Sequence, residues 1–211
     1  MKPTSVHEKP ETARLEAHLP SPRLKDYMRR CVAFHGHPAP GLIIGVFMVD
    51  LALELLGANP DDRLYAVCET RKCAPDPLQV IAGCTVGNLR LRVLPIGRFA
   101  ITMNVFTREP VVEGVRVFVD SPKLDGYPAI RAWYTHSPNF DKSQEASLVD
   151  EILAVGRGIL SHERVRLKVV PKEDWHPEAC RSCGELIPHN MLFDGTCAGC
   201  GSLGYYEKIR E

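Results

Sequence analysis

Half of the eight cysteines in this chain of 211 residues stand in one pattern. Cys180-x-x-Cys183 is followed, after thirteen intervening residues, by Cys197-x-x-Cys200. Two thiolate pairs on tight turns, joined by a short connection, supply the four soft ligands of a tetrahedral structural Zn²⁺. Gly184 and Gly199 sit where such turns call for a residue free to take φ > 0. Two structural disulfides are the competing reading, and the compartment argued below disfavours it. With thiolate in every position, such a zinc has no open site for chemistry. It explains a fold, not an activity.

A second group lies upstream: His35-Gly36-His37 in a Gly/Pro-rich turn, then Cys68, Cys73 and Cys84. Two histidines one residue apart in such a turn cannot both point into a core, and each offers a nitrogen ligand. They precede an expected helix N-terminus, whose dipole disfavours imidazolium and keeps the ring in its metal-binding form. Cys73 and Cys84 bracket a short helix, and a thiol near a helix N-terminus tends toward thiolate. Imidazole and thiolate without four adjacent ligands fit a metal site with an open position. The plain alternative stays open: histidines bonded to turn carbonyls, Asp76 and Gln79 as helix caps, and cysteines as small core residues. For Cys31 and Cys68 the core reading is preferred.

Lysine plus arginine and aspartate plus glutamate balance at 26 each, so no global field favours nucleic acid or an anionic membrane. Residues 172–211 are locally acidic: Lys172, Arg181, Lys208 and Arg210 face Glu173, Asp174, Glu178, Glu185, Asp194, Glu207 and Glu211. That sign counts against duplex binding by the ribbon and, more weakly, against RNA. The first twenty residues are polar and charged with no apolar stretch, and the most hydrophobic run, residues 42–56, is broken by Asp50 and Glu54. Neither a secretory signal nor a membrane span is expected, which points to the cytoplasm and to reduced thiols.

The elements that must position these residues read as follows. Residues 1–10 form a loose arm. Patchy helical segments cover 14–19 and 24–34. Pro40 suits the first turn of a helix that runs to about Leu56, with Gly57 as its stop. That helix is apolar nearly all round except at Asp50 and Glu54, so it must be buried in a core or against a second subunit. A short strand is expected at 65–68. Asp76-Pro77-Leu78-Gln79 then reads as a capped helix start, ended by Gly83. Alternating segments around Leu89–Leu91–Val93, Phe99–Ile101–Met103–Val105 and Val115–Val117–Val119 read as an antiparallel meander. Ser143 is placed to cap a helix carrying Leu148, Val149, Ile152, Val155 and Ile159. A last strand holds Val165, Leu167 and Val169, and residues 171–177 link to the ribbon. The sum is an α+β fold: a core over residues 1–171, with helices on a mainly antiparallel sheet, and a small zinc ribbon over 172–211.

Two blocks carry a family likeness. Phe34-His-Gly-His-x-x-Pro-Gly-Leu42, with Gly45 following, and Cys73-x-x-Asp76-x-x-Gln79-x-x-x-Gly83-Cys84-Thr85-x-Gly87 resemble the signature of the FmdE family, named for the E component of formylmethanofuran dehydrogenase. Arg98-Phe99-Ala100 and Arg116-Val117 match weaker positions, and the wording Cys183-Gly-Glu-x-Ile-Pro188 is similar to zinc fingers of the DksA/TraR type. The resemblance implies a homodimer with a cleft lined by the His-Gly-His turn and the Cys/Asp block. In that cleft a second transition metal would be held by His35, His37 and Cys73, with Asp76 as a base and Cys84 as a further ligand or redox group. It also implies association with a molybdenum or tungsten enzyme of one-carbon metabolism. Two departures stand out. Ala39 replaces the family's usual cysteine, and Asn88-Leu89-Arg90 replaces a lysine-rich end. Cys31 and Cys68 are the thiols available to stand in for the missing one.

Three functions compete on these residues. The chain is an enzyme or enzyme subunit with an open metal centre, an accessory protein whose ribbon docks on a partner, or a nucleic-acid-binding regulator. The acidic ribbon counts against the third.

Overall fold

The computed structural model describes residues 15–168 and 174–204, together with Tyr206, Glu207 and Ile209. The arm expected over 1–10, Arg14 of the first helical segment, Val169 of the last strand and residues 171–173 of the linker lie outside the described residues. The chain divides into two compact units, residues 1–169 and 170–211.

In the first unit, helix α1 (Pro22–His35) begins where Ser21 Oγ accepts from the Leu24 N–H at 3.2 Å, and it stops at Gly36 with φ of 96°. Its buried stripe is Leu24, Tyr27, Met28, Cys31 and Val32. Helix α2 (Pro40–Leu56) opens on Pro40 and ends at Gly57, φ 62°. Its all-round apolar surface is met by its own chain, since Leu42, Ile43, Ile44, Val46, Phe47, Met48 and Val49 are all buried. The polar stripe has its own solution. Asp50, only 1% exposed, is paired with Arg23 at 2.8 Å and with Arg157, which also reaches Glu54 at 2.8 Å. Three short helices complete the layer: α3 (Pro75–Val80), α4 (Pro128–Tyr134) and α5 (Glu145–Val155).

The sheet comprises β1 (Leu64–Cys68), β2 (Leu91–Val93), β3 (Ala100–Val105), β4 (Val111–Val119) and β5 (Leu160–Lys168), in the order β2-β1-β3-β4-β5. Every pairing is antiparallel except β1 with β2. The expected α+β class with a mainly antiparallel sheet is therefore what the chain adopts. The expected meander is not, because β1 inserts between β2 and β3. Leu89 is not in a strand either: it has φ of 61° in a turn closed by Thr85 and Asn88. Ser143 does not cap α5. It sits in a 3₁₀ turn (Lys142–Gln144), donating its N–H to Asp141 Oδ1 at 2.6 Å, and the helix proper begins two residues later.

The second unit is two small hairpins. Strands β6 (Pro177–Ala179) and β7 (Leu186–Pro188) pair antiparallel, as do β8 (Leu192–Phe193) and β9 (Thr196–Cys197). Asp194 and Gly195, with φ of 47° and 72°, turn between the last two strands, the double positive φ of a type I′ hairpin turn.

Two glycines decide how closely the core elements approach. A Cβ on Gly41 would lie 3.1 Å from both Cβ and Sγ of Cys73 and 3.4 Å from Phe99 Cε2. One turn along, a Cβ on Gly45 would lie 3.0 Å from Pro77 Cγ and 3.4 Å from Ala74 Cα. Together they form a flat face on α2 against which the 73–77 segment is pressed. Replacing a helical glycine with alanine gains roughly 0.5–1 kcal/mol of backbone propensity, which offsets part of such a clash. A β-branched residue gains less and has nowhere to put its extra methyls. Gly45→Val is expected to destabilise the core by about 2 kcal/mol through overpacking, with Gly45→Ala far milder, as read from paired urea melts.

Candidate metal centres

In the ribbon, each cysteine pair sits on a turn at the end of a hairpin strand. Gly184, at φ 78°, lets its N–H return to the Cys180 carbonyl at 2.9 Å, closing the first turn. Gly199 does not play the matching part, for it is absent from the glycines with positive φ; the second turn closes by Cys200 and Gly201 N–H groups on the Cys197 carbonyl, both at 3.1 Å. The two hairpins are stitched by the Arg181 N–H on the Gly195 carbonyl at 2.9 Å and by the Cys197 N–H on Cys180 Sγ at 3.3 Å.

The four sulfurs all lie within 4.8 Å of one another, and Cys183 Sγ is 4.0 Å from Cys197 Sγ. A tetrahedral site with metal–sulfur bonds of about 2.3 Å has sulfur–sulfur edges of about 3.8 Å, so the residues present fit a dication such as zinc. All eight cysteines are free thiols, which sets aside the disulfide reading. Electrostatics point the same way. Backbone N–H groups of Cys197, Cys183 and Ser182 pull the Cys180 thiol down to about 6. The Glu185 N–H favours the Cys183 thiolate, but burial and the thiols of Cys180, Cys200 and Cys197 outweigh it and push Cys183 up to about 12. Four sulfurs this close cannot ionise together without a cation among them.

In the core, Gly36 turns the chain between His35 at the end of α1 and His37, leaving the two rings 4.9 Å apart between centroids and tilted by 40°. His35 Nδ1 lies 2.6 Å from Asp76 Oδ2, and Gln79 Nε2 donates to the other carboxylate oxygen at 3.4 Å. Asp76 is thus not the helix cap its position suggested. Helix α3 starts a residue earlier, at Pro75, with Ala74 before it and no side-chain cap bond. The carboxylate is spent on the histidine instead. With a carboxylate accepting, the bond places the proton on Nδ1 and leaves Nε2 as the nitrogen able to ligate.

Cys73 takes φ of 48° and packs its side chain against Gly41, at the start of α2. It is not the thiolate that a helix N-terminus would favour: burial and then the charge of Asp76 raise its thiol above the ordinary value. Cys84 is set apart from the histidines, fully buried with its thiol donating to the Leu64 carbonyl at 3.3 Å, and burial pushes it up to about 11. Cys31 and Cys68, the candidate stand-ins for the thiol missing at Ala39, are likewise buried and pushed up to about 12 and about 11. Among the described residues, only the ribbon cysteines bring three or more ligand atoms within 4.8 Å of one another. His35, His37, Cys73 and Asp76 are therefore a neighbourhood rather than a closed ligand set.

Glu69 is a positioning residue that sequence reasoning missed. It follows β1 and is buried, with Arg116 Nε at 2.7 Å and Arg98 Nε at 2.5 Å from its two oxygens. The bridge fixes the start of the loop that carries Cys73. A carboxylate ending an apolar strand, with arginines at 98 and 116, was the available signal. The hydrogen bond from Arg116 holds its carboxyl below the usual range despite burial. A depressed pKa adds stability that is present above the unfolded value of about 4.3 and is lost as pH falls through the folded value. Melting temperature should drop as pH falls below about 4.3, and Arg116→Ala should flatten that acid limb in calorimetric scans across it.

Comparisons with known proteins bear on the core as a whole. A family model described as "FmdE, Molybdenum formylmethanofuran dehydrogenase operon" matches residues 34–168, from the His-Gly-His turn to the last core strand. The crystal structure of a tungsten formylmethanofuran dehydrogenase FmdE-like protein from Syntrophus aciditrophicus superimposes with a TM-score of 0.72 at 37% identity, covering 87% of this chain and 95% of that one. A probable S-adenosyl-L-methionine-binding protein of Archaeoglobus fulgidus is 28% identical over 209 residues, which is 90% of this chain and 56% of its own length. The chain thus spans little more than half of that curated relative. With the family model matching well over half of the sequence and the same core architecture present, the chain belongs to the FmdE family.

Proposed function

We propose that this FmdE-family protein binds two metals with different tasks. Cys180, Cys183, Cys197 and Cys200 hold a structural Zn²⁺ that organises the 172–211 ribbon. His35, His37 and Cys73 hold a second transition metal in the 1–171 core, with Asp76 fixing His35 through Nδ1. The observation that carries the second assignment is the 2.6 Å bond between His35 and Asp76, the carboxylate–histidine arrangement that orients an imidazole toward a metal. A metal there would polarise a substrate or water as a Lewis acid. The chain's own residues present the imidazoles, orient the ring of His35 through its Nδ1, and bring Cys73 against α2. Cys84 serves as core packing.

The name of the Syntrophus relative and the description of the family support a role, as enzyme or accessory subunit, beside a molybdenum or tungsten enzyme of one-carbon redox metabolism. We take the protein to act in the cytoplasm as a homodimer. Among the described residues no helix is long and apolar enough to cross a membrane. A non-catalytic docking role has an observation of its own: the ribbon leaves Leu186, Met191, Phe193 and Leu203 exposed. Ribbon contact with nucleic acid is disfavoured, since Asp174, Glu178, Glu185, Asp194 and Glu207 outnumber Arg181 among its described charges.

Metal per chain, measured by inductively coupled plasma mass spectrometry on protein purified without added metal or chelator, separates these readings. Wild type should carry two metals and His35→Ala/His37→Ala one, with the melting transition kept; one metal in both would remove the core centre and leave the docking role. Separately, Cys197→Ser should cost the ribbon its zinc and expose residues 174–207 to limited proteolysis.

A further inference from the structure

The core carries one surface that neither metal centre accounts for. It runs along β2, one of the two edge strands of the sheet, and into the loops at either end. The loop before β2 is braced far beyond what a connection needs. Asn88 Oδ1 accepts from the Thr85 and Arg90 N–H groups, both at 3.0 Å, Asn88 Nδ2 donates to the Gly83 carbonyl at 2.8 Å, and the Asn88 N–H donates to Thr85 Oγ1 at 3.0 Å. This frame holds Leu89 in a left-handed conformation, φ 61°, with 81% of its surface in water. A bulky residue held at positive φ and aimed at solvent is a poor use of leucine unless something else covers it. Val86 in the same loop and Ile96 beyond the strand are also exposed.

Charge at this edge is one-sided. Residues 69–98 hold Arg71, Lys72, Arg90, Arg92 and Arg98 against two acids, Glu69, which pairs with Arg98, and Asp76, which is engaged by His35. Arg71, Lys72 and Arg92 are exposed and form no ion pair among the described residues. They belong to one edge because β1 and β2 run parallel. The Leu94 N–H donates to the Cys68 carbonyl at 2.8 Å and the Gly97 N–H to the Glu69 carbonyl at 3.0 Å, so the Arg71-Lys72 loop and Ile96 leave adjacent strands at the same end.

We propose that this β2 edge is a docking surface for an acidic protein partner, with Leu89 as the apolar anchor and Arg71, Lys72 and Arg92 as the charges that steer and orient it. Single-stranded nucleic acid is the other polyanion to weigh, but it is gripped by stacking bases on aromatic side chains. The exposed apolar residues of this edge are aliphatic, which suits a protein surface.

The test uses the full chain and a fluorescently labelled random copolymer of glutamate and tyrosine, followed by anisotropy. Polyglutamate and a random DNA duplex serve as comparison probes, and sedimentation of the chain alone reports self-association. Leu89→Ser and Arg71→Glu/Lys72→Glu change exposed side chains, and unchanged melting confirms their folding. The copolymer should bind more tightly than polyglutamate and more weakly as salt rises, and each variant should lose at least about tenfold in affinity. No copolymer binding, or binding indifferent to either variant, overturns the proposal. So does DNA binding as tight as the copolymer's, which would make the edge a nucleic-acid surface. Concentration-dependent dimers abolished by Leu89→Ser would overturn it too, by making the occupant a second copy of the chain.

Discussion

The close approach between α2 and the 73–77 segment is the constraint on which the core site depends. Gly41 and Gly45 remove two side chains from one face of an otherwise bulky helix, and Cys73, Ala74 and Pro77 occupy the space left behind. That contact sets where Cys73 stands relative to the start of α2 and how far Asp76 reaches toward His35. Helical glycine is locally unfavourable, so its use twice, one turn apart, marks a face where packing outweighs propensity. The surrounding devices act in the same direction. Gly36 turns the chain between the histidines, and the Glu69 bridge pins the loop at its origin.

The two cysteine-bearing regions are built on opposite principles. In the ribbon, local turns and short hairpins bring four sulfurs together with little help from a core, so the geometry is nearly written by spacing. Four thiolates this close repel one another, and a metal dication among them would offset that repulsion. In the core, imidazole, thiol and carboxylate come from α1, the turn after it, the segment before α3 and the first turn of α3 itself. They are brought near one another by tertiary packing. Their burial raises the Cys73 thiol instead of activating it. A cluster assembled in this way is sensitive to every contact that sets the distance between those elements.

What could be read from the sequence follows from how local each signal is. Pro40 and Gly57 bracket α2 as expected because a helix start and stop are decided within a few residues. The four-cysteine spacing is legible for the same reason. The place of β2 was not, since three residues of alternation say nothing about which strand they will meet, and the partner proved to be β1 rather than β3. Asp76 shows a subtler failure. An acid beside a proline at a helix start is the same signal whether it caps the helix or serves a histidine 41 positions away, and Pro75 settled the matter by starting the helix first. Helix α4 escaped notice because seven residues with Ile130 as the buried position show no usable period. Cys84 looked reactive on spacing, yet it is fully buried and burial pushes its thiol up to about 11, which spacing does not show.

The clasp around Asp50 has a consequence for how the chain reaches this state. Its two cations come from distant parts of the core sequence: Arg23 lies on α1, and Arg157 follows α5, 107 positions beyond the carboxylate it meets. Closing a loop of that length is entropically costly until intervening strands have already drawn the ends together. The Arg157 arm of the clasp is therefore expected to close late in folding, after the sheet has formed. Interactions that are missing from the transition state act mainly on the rate of opening. A charge buried in the middle of α2 is then less a support for the finished core than a latch on the way out of it.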